Sequence, residues 1–291
     1  MKLLRKGQTG HEKPAMIDPD GRMRDLSGII RDIDADALSP AGLLRLGSLN
    51  WRELPVMEND GRIGPCVPRP LNYVCIGLNY ADHAAEAGMA VPKEPIIFLK
   101  SLSAYSGPYD DIRIPPGSQK TDWEVELGVV IGTRASHVSE ADSMDYVAGY
   151  CVCNDISERS FQIERGGTWD KGKGCDTFGP TGPWLVTKDE VPDPQSLDMW
   201  LDVDGVRMQS GNTRTMVFNI RQLISYVSAF ITLHPGDIVV TGTPPGVGMG
   251  KKPEPVFLRP GQTMRLGIAG LGEQSTKAVM WDQVSDSGAS Q

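Results

Sequence analysis

The sequence predicts a mixed, strand-rich α+β fold in which a small N-terminal subdomain precedes a larger catalytic domain. Three observations predict it: many short apolar runs of strand length, a single long helical pattern, and a high content of turn formers, 33 Gly and 22 Pro in 291 residues. Residues 1–68 read as the small α/β subdomain. They hold the hairpin signal Asp18-Pro19-Asp20-Gly21, a short helical stretch from Ala41 to Leu46, and the Pro-punctuated linker from Gly64 to Pro70. Residues 69–291 read as the second domain. Its strand-length runs are Tyr73 to Ile76, Ile96 to Leu99, Val125 to Ile131, Val147 to Cys153, Trp184 to Val186, Leu201 to Val203, Ile238 to Val240 and Met264 to Ile268. The helical pattern spans Asn219 to Leu233, where Ile220, Leu223, Ile224, Val227 and Ile231 recur on one face. The polar tail from Ser285 to Gln291 reads as a fraying end.

Composition narrows the function classes. Lys+Arg 29 against Asp+Glu 37 gives a net charge of −8, which argues against a phosphate-backbone binder, so nucleic acid is not the expected partner. No window approaches the ~18 apolar residues of a membrane span, and the basic start MKLLRKG lacks the apolar segment of a signal peptide. Five cysteines without a C-x-x-C pair suit reduced, buried thiols in a cytoplasmic protein.

The most informative stretch is Asp122-Trp123-Glu124-Val125-Glu126-Leu127. In a strand, side chains alternate faces, so Glu124 and Glu126 stand on one face and Val125 and Leu127 on the other. At roughly 6.6 Å and an effective dielectric of ~20, two such carboxylates repel by about 2.5 kcal/mol. Either that face is wet, or one Glu is protonated, or a cation sits between them. Asp155, closing the run from Tyr146 on the face of Cys151 and Cys153, offers a third carboxylate, although Asp155 with Glu158 also fits a capping box. Three hard oxygen donors suit Mg²⁺ or Mn²⁺ better than structural zinc.

Other segments offer partners for such a cation. Asn79 to Gly88 reads as a short helix begun by Asn79 and stopped by Gly88. His83 and Glu86 share one face of it, either as an incidental ion pair or as a dyad in which Glu86 orients the imidazole that takes a proton from water. Lys173, in the glycine-rich loop around Gly172 and Gly174, is a candidate clamp for a substrate carboxylate, or else a flexible surface lysine. After the run Ile238 to Val240 comes Thr241-Gly242-Thr243-Pro244-Pro245-Gly246, whose glycines let backbone N–H groups approach an anion while Thr243 adds a hydroxyl. It is neither a Walker loop, with Pro245 and Lys252 at the wrong places, nor a dinucleotide fingerprint.

Taken in order, Gly77-Leu78-Asn79-Tyr80 with His83 and Glu86, Asp122 to Leu127, Asn154-Asp155-Ile156-Ser157 with Arg159, Trp169 with Gly172-Lys173 and Asp176, Gly182-Pro183-Trp184, and Thr241 to Pro244 resemble the fumarylacetoacetate hydrolase family from about Tyr73 to Trp281. The resemblance implies a mixed β-roll around a twisted β barrel and assembly as a homodimer or homotetramer. It implies Mg²⁺ or Mn²⁺ held by Glu124, Glu126 and Asp155, His83 and Glu86 activating water on a lid, and Lys173 binding substrate oxygens as a third catalytic residue. It also implies that Thr243, with Gly242 beside it, holds the substrate carboxylate, and that Arg159 and Gln162 line the pocket. The activity implied is hydrolysis of the C3–C4 bond of a 2,4-diketo acid to pyruvate and a second acid.

The start MKLLRKG and Gly270-Leu271-Gly272-Glu273-Gln274 resemble the branch acting on 2,4-diketo-3-deoxy sugar acids, such as the rhamnonate or fuconate derivatives, which yields pyruvate and a hydroxy acid such as lactate. Decarboxylation or isomerisation of a β-keto or dienoic acid, ureidoglycolate lysis on the same metal site, and a non-catalytic acid-binding protein are the competing readings.

Overall fold

In the computed structural model, which describes residues 1–86, 88 and 90–283, the short strands assemble into two large open sheets. The larger has nine strands in the order Met23–Asp25, Lys13–Ile17, Lys2–Lys6, Leu185–Thr187, Val147–Asn154, Val125–Ile131, Ile238–Val240, Tyr73–Gly77 and Ile96–Leu99. Its pairings are antiparallel except where Ile238–Val240 runs parallel to Tyr73–Gly77. The second has five strands, ordered Val206–Asn212, Asp198–Val203, Thr263–Ile268, Gly272–Met280 and Ile112–Ile114. This is the mixed, strand-rich α+β architecture expected, with no closed barrel among the described residues: the larger sheet ends at Met23–Asp25 on one side and at Ile96–Leu99 on the other.

The first residues of the chain extend this sheet. Lys2–Lys6 pairs with Lys13–Ile17 on one side and Leu185–Thr187 on the other. The Asp18 to Gly21 turn joins Lys13–Ile17 to Met23–Asp25, with Asp18 N–H donating to the Arg22 carbonyl at 2.8 Å.

Alternation along the central strands divides the interior in two. Val125, Leu127, Val129 and Ile131 face Met199, Leu201, Met264 and Leu266 of the second sheet, together with Leu223, Ile224 and Val227 of the helix Ile220–Ser228. On the opposite face, Val130, Cys151, Cys153, Ile238 and Val240 pack with Leu26, Ile33, Leu38 and Leu46 from the N-terminal residues. Four cysteines are buried packing, as expected; Cys175 is half-buried, and burial raises its thiol to about 11.

Three local expectations are corrected. The helix beginning at Ile220 carries the Asn219/Gln222 capping box, but it stops at Ser228 because Leu233 pairs by both main-chain bonds with Ala135, just ahead of Pro235. The helix carrying His83 is Ala81–Glu86, and Asn79 does not cap it. The Asn79 amide instead donates to the carbonyls of Thr241 and Phe218, tying that turn to the strand Ile238–Val240 and its exit. Glu158, not Asp155, caps the helix Arg159–Ile163, through its side chain to Ser160 N–H. The tail from Ser285 to Gln291 lies outside the described residues.

Gly149 sits where the pairing of Val147–Asn154 slips by a residue, and a Cβ there would lie 2.2 Å from the Val186 carbonyl oxygen. Gly149→Ala is expected to destabilise the protein by about 1–3 kcal/mol, because backbone must move to admit the methyl. A urea melt with an unchanged midpoint would contradict this close contact.

Candidate active site

Register brings the carboxylates together. The ladder between Val125–Ile131 and Val147–Asn154 sets Glu126 opposite Cys153 and Val125 opposite Asn154. Glu124 lies just outside the strand that alternation alone would give it. Pairing nevertheless continues past the ladder's end: Asp155 N–H donates to the Glu124 carbonyl at 2.9 Å, and Glu124 N–H to Asn154 Oδ1 at 3.1 Å. Asp155 therefore stands across from Glu124 and beside Glu126. One oxygen from each lies within 4.8 Å of the others, and all three residues are buried.

Cations and a backbone N–H neutralise this cluster. Lys173 Nζ donates to Glu124 Oε2 at 2.7 Å and to Asp155 Oδ2 at 2.6 Å. Lys173 is carried by the short helix Asp170–Lys173, so it is a buried ammonium and not a surface lysine. Lys100, at the end of the edge strand Ile96–Leu99, pairs with the other Asp155 oxygen and donates to the Ile156 carbonyl. Arg159 donates through Nε to Asp122 Oδ2 at 2.8 Å and through Nη1 to Gln162 Oε1 at 3.0 Å. Its Nη2 lies 2.7 Å from Glu124 Oε1, an ion pair too bent to be a hydrogen bond. Glu126 has no lysine of its own; it accepts Gly242 N–H at 2.6 Å, which commits that amide to the carboxylate.

The ionisation of the two glutamates differs accordingly. Burial pushes Glu124 up, but Lys173 and Arg159 outweigh it and hold the carboxyl far below its ordinary range. Burial also pushes Glu126 up, and the neighbouring charges of Asp155 and Glu124 drive it higher still. Four carboxyls, Asp122, Glu124, Glu126 and Asp155, thus meet three cations, Lys100, Arg159 and Lys173, leaving 3 − 4 = −1 when all are ionised. The donor set fits Mg²⁺ or Mn²⁺: three hard oxygens on one focus, with Glu126, raised by burial and by its two neighbouring carboxylates, the least compensated of them.

Opposite the cluster stands the helix Ala81–Glu86. His83 is buried, with Nδ1 3.4 Å from Glu86 Oε2. Burial pushes Glu86 up, but the contacts from His83 and from Gly246 N–H more than offset it, and its carboxyl falls below the ordinary range. His83, Glu124, Glu126, Arg159, Gln162, Lys173 and Thr243 line one cavity of about 250 Å³. Its remaining wall is apolar, with Phe98 and Trp169 edge to face at 5.3 Å. A larger, more open groove of about 860 Å³ runs along the Ile96–Leu99 edge and is lined by none of the three carboxylates.

Seven of the ten expected site residues line the cavity, and the other three are immediate partners of lining groups: Glu86 through His83, Asp155 through Lys173 and Gly242 through Glu126. The Thr243 hydroxyl donates to the Val125 carbonyl at 2.9 Å and accepts from Gln209 at 2.8 Å.

Sequence reading missed Lys100, Gln209 and the part played by Asp122. Gln209 accepts Val125 N–H at 2.9 Å and so holds the strand's first residue. Asp122 binds Arg159 together with the N–H groups of Gly248 and Met249. A lysine directly following the apolar run Ile96 to Leu99 was the one available signal for Lys100.

A strand-rich α+β frame with buried carboxylates and a His–Glu pair gathered at one cavity is the arrangement of an enzyme that handles small acids. The chain belongs to the fumarylacetoacetate hydrolase family: residues 72–279 match the family described as fumarylacetoacetate (FAA) hydrolase C-terminal. A Burkholderia ambifaria protein named provisionally as a hydrolase is 65% identical over 94% of this chain and 97% of its own length. Among solved structures, maleylpyruvate hydrolase from Sphingobium sp. SYK-6, in complex with manganese(II) and pyruvate, is similar with a TM-score of 0.79 and 30% identity over 96% of this chain and 99% of that one. The 2-hydroxyhepta-2,4-diene-1,7-dioate isomerase from Mycobacterium marinum is similar with a TM-score of 0.77 and 30% identity over 97% of this chain and 100% of that one.

Because Lys100 is fully enclosed and paired, Lys100→Met is expected to destabilise the protein by about 3–5 kcal/mol in urea melts, leaving an Asp155 oxygen buried without its cation. Unchanged stability would contradict the pairing.

Proposed function

We propose that the protein is a divalent-metal-dependent hydrolase cleaving the C3–C4 bond of a 2,4-diketo acid, with 2,4-diketo-3-deoxy-L-rhamnonate or -fuconate as substrate and pyruvate and lactate as products. The observation that carries this reading is the convergence of the Glu124, Glu126 and Asp155 oxygens and the His83–Glu86 pair at one cavity. Glu124, Glu126 and Asp155 would hold Mg²⁺ or Mn²⁺. When bound, the ion supplies Lewis acidity toward the carboxylate and keto oxygens of a 2-keto acid.

The chain's own residues do the rest. Lys173 places its ammonium at the same end of the cavity and holds the keto-acid head, with Arg159 and Gln162 alongside; Thr243 reaches its carboxylate once its hydroxyl turns from the Val125 carbonyl. His83 takes a proton from water while Glu86 holds its Nδ1, which fixes the tautomer. The water oxygen bonds to C4, and the C3–C4 electron pair passes to C3 as an enolate. C3 then receives the proton from His83. One water is consumed; C4 leaves as a carboxylic acid and C3 becomes the methyl group of pyruvate. Gly242, through Glu126, sets a ligand and not the substrate.

The same reading assigns catalysis to residues 69–291, residues 1–68 to a subdomain that lengthens the sheet, and the active species to a homodimer or homotetramer in the cytoplasm. A second reading, isomerisation of a dienoic acid, is favoured by the structural similarity to the isomerase from Mycobacterium marinum. It needs the enolate but no attacking water.

Incubated with Mn²⁺ or Mg²⁺, the protein is expected to convert the diketo-deoxy acid to equimolar pyruvate and lactate, with one ¹⁸O from labelled water in the lactate carboxylate. Exhaustive chelation or Glu126→Gln removes turnover, and His83→Ala lowers kcat by about 10²–10⁴-fold. Label-free lactate, or faster CO₂ release from oxaloacetate, would overturn the hydrolase assignment.

A further inference from the structure

The cavity has two chemically distinct parts. Its polar end holds every charged group that lines it: Glu124, Glu126, Arg159, Lys173 and His83. Gln162 and Thr243 are its other polar side chains; the rest of the wall is Ile76, Gly77, Leu78, Phe98, Ile163, Trp169 and Met249, none of them charged. Trp169 is held over the strand Tyr73–Gly77 because position 77 is glycine; a Cβ there would lie 2.4 Å from its ring. Leu78 adopts φ +54, a left-handed backbone that a leucine rarely takes, at the turn leading from this strand toward the His83 helix.

Both lining cations are already committed. Arg159 is shared between Asp122, Glu124 and Gln162, and Lys173 between Glu124 and Asp155. All 29 Lys and Arg lie among the described residues, so further cations can be sought by position. Those nearest in sequence to the apolar wall turn elsewhere. Arg165 packs over the Phe161 ring at 5.1 Å, Lys171 donates to the Arg165 carbonyl, and Lys251 donates to the Met208 carbonyl at 2.8 Å.

From this we infer that the part of the substrate beyond C4 is a short, uncharged group ending in an apolar carbon, and that a second carboxylate at that end is rejected. The assignment of that part as the departing acyl group rests on the hydrolase reading above. A carboxylate set against Trp169, Ile163 and Met249 would exchange water for apolar side chains, and the cation beside that wall, Lys173 at 5.2 Å over the Phe98 ring, is already paired with Glu124 and Asp155. Discrimination therefore comes from the uncompensated charge and not from length, since the wall accepts methylenes. The lactoyl group of a 6-deoxy sugar acid, which ends in a methyl, meets this requirement.

The test uses two pairs of equal chain length with the Mn²⁺-loaded protein. Turnover compares 2,4-dioxoheptanoate with 2,4-dioxoheptanedioate, and calorimetric binding compares 2-oxoheptanoate with 2-oxoheptanedioate, which lack the C4 carbonyl and cannot be cleaved. The monoacid is expected to exceed the diacid by at least a hundredfold in kcat/KM and to bind at least tenfold more tightly. Ile163→Arg, at a half-exposed position on the cavity rim, is expected to raise the diacid's kcat/KM tenfold or more and to narrow the binding ratio. A diacid that equals or beats the monoacid in wild-type binding would overturn the inference whatever the turnover. Absence of pyruvate from both dioxo acids, with the binding preference intact, would instead sink the hydrolase reading and leave the neutral-tail subsite standing.

Discussion

Mutual repulsion among buried carboxylates is the constraint around which this molecule is organised. Oxygens of Glu124, Glu126 and Asp155 no more than 4.8 Å apart repel by about 3.5 kcal/mol or more per ionised pair at an effective dielectric of ~20, before the cost of desolvation. Much of the surrounding architecture offsets that energy. Lys100 arrives from the edge strand, Lys173 from a four-residue helix, and Arg159 from the first turn of another. Elements far apart in the chain are thereby tied to one point, and the deficit left at Glu126 is of the sign a divalent cation would fill.

The same arrangement separates two tasks. Asp122, Asn79 and Gln209 do not line the cavity, yet their hydrogen bonds hold the loop after Val240, the turn before the His83 helix and the start of the carboxylate strand. They satisfy backbone groups that would otherwise be buried without partners where irregular chain meets the sheet. The charged groups at the cavity surface pair largely with one another, although Glu126 also accepts Gly242 N–H and Arg159 also binds Asp122.

Much of this was legible in the residues. Apolar runs of strand length are strands here because the central ones are buried on both faces, and Glu124 and Glu126 meet because a period of two keeps them on one face, with Asp155 brought across by the antiparallel register. What escaped was decided by long-range contacts. Asn79 has the residue type of a helix cap, but a carbonyl at Thr241 competes for its amide. The helix from Ile220 ends early because a strand-like bridge at Ala135 claims Leu233. Lys100 follows an apolar run like many surface lysines, and only the fold brings Asp155 to it, 55 residues on. Local pattern reports periodicity and turn chemistry; it does not report which distant group will satisfy a buried charge.

The contact between Gly77 and Trp169 carries a consequence for how this enzyme could change. The indole fills the volume that any larger residue at 77 would need, so the size of the binding chamber is set jointly by two stretches of chain more than ninety positions apart. Trimming the tryptophan alone would open a void, and enlarging the glycine alone would evict the ring. A roomier or tighter chamber is therefore reached by paired substitution, and single-site libraries would report both positions as immutable although neither is so in combination.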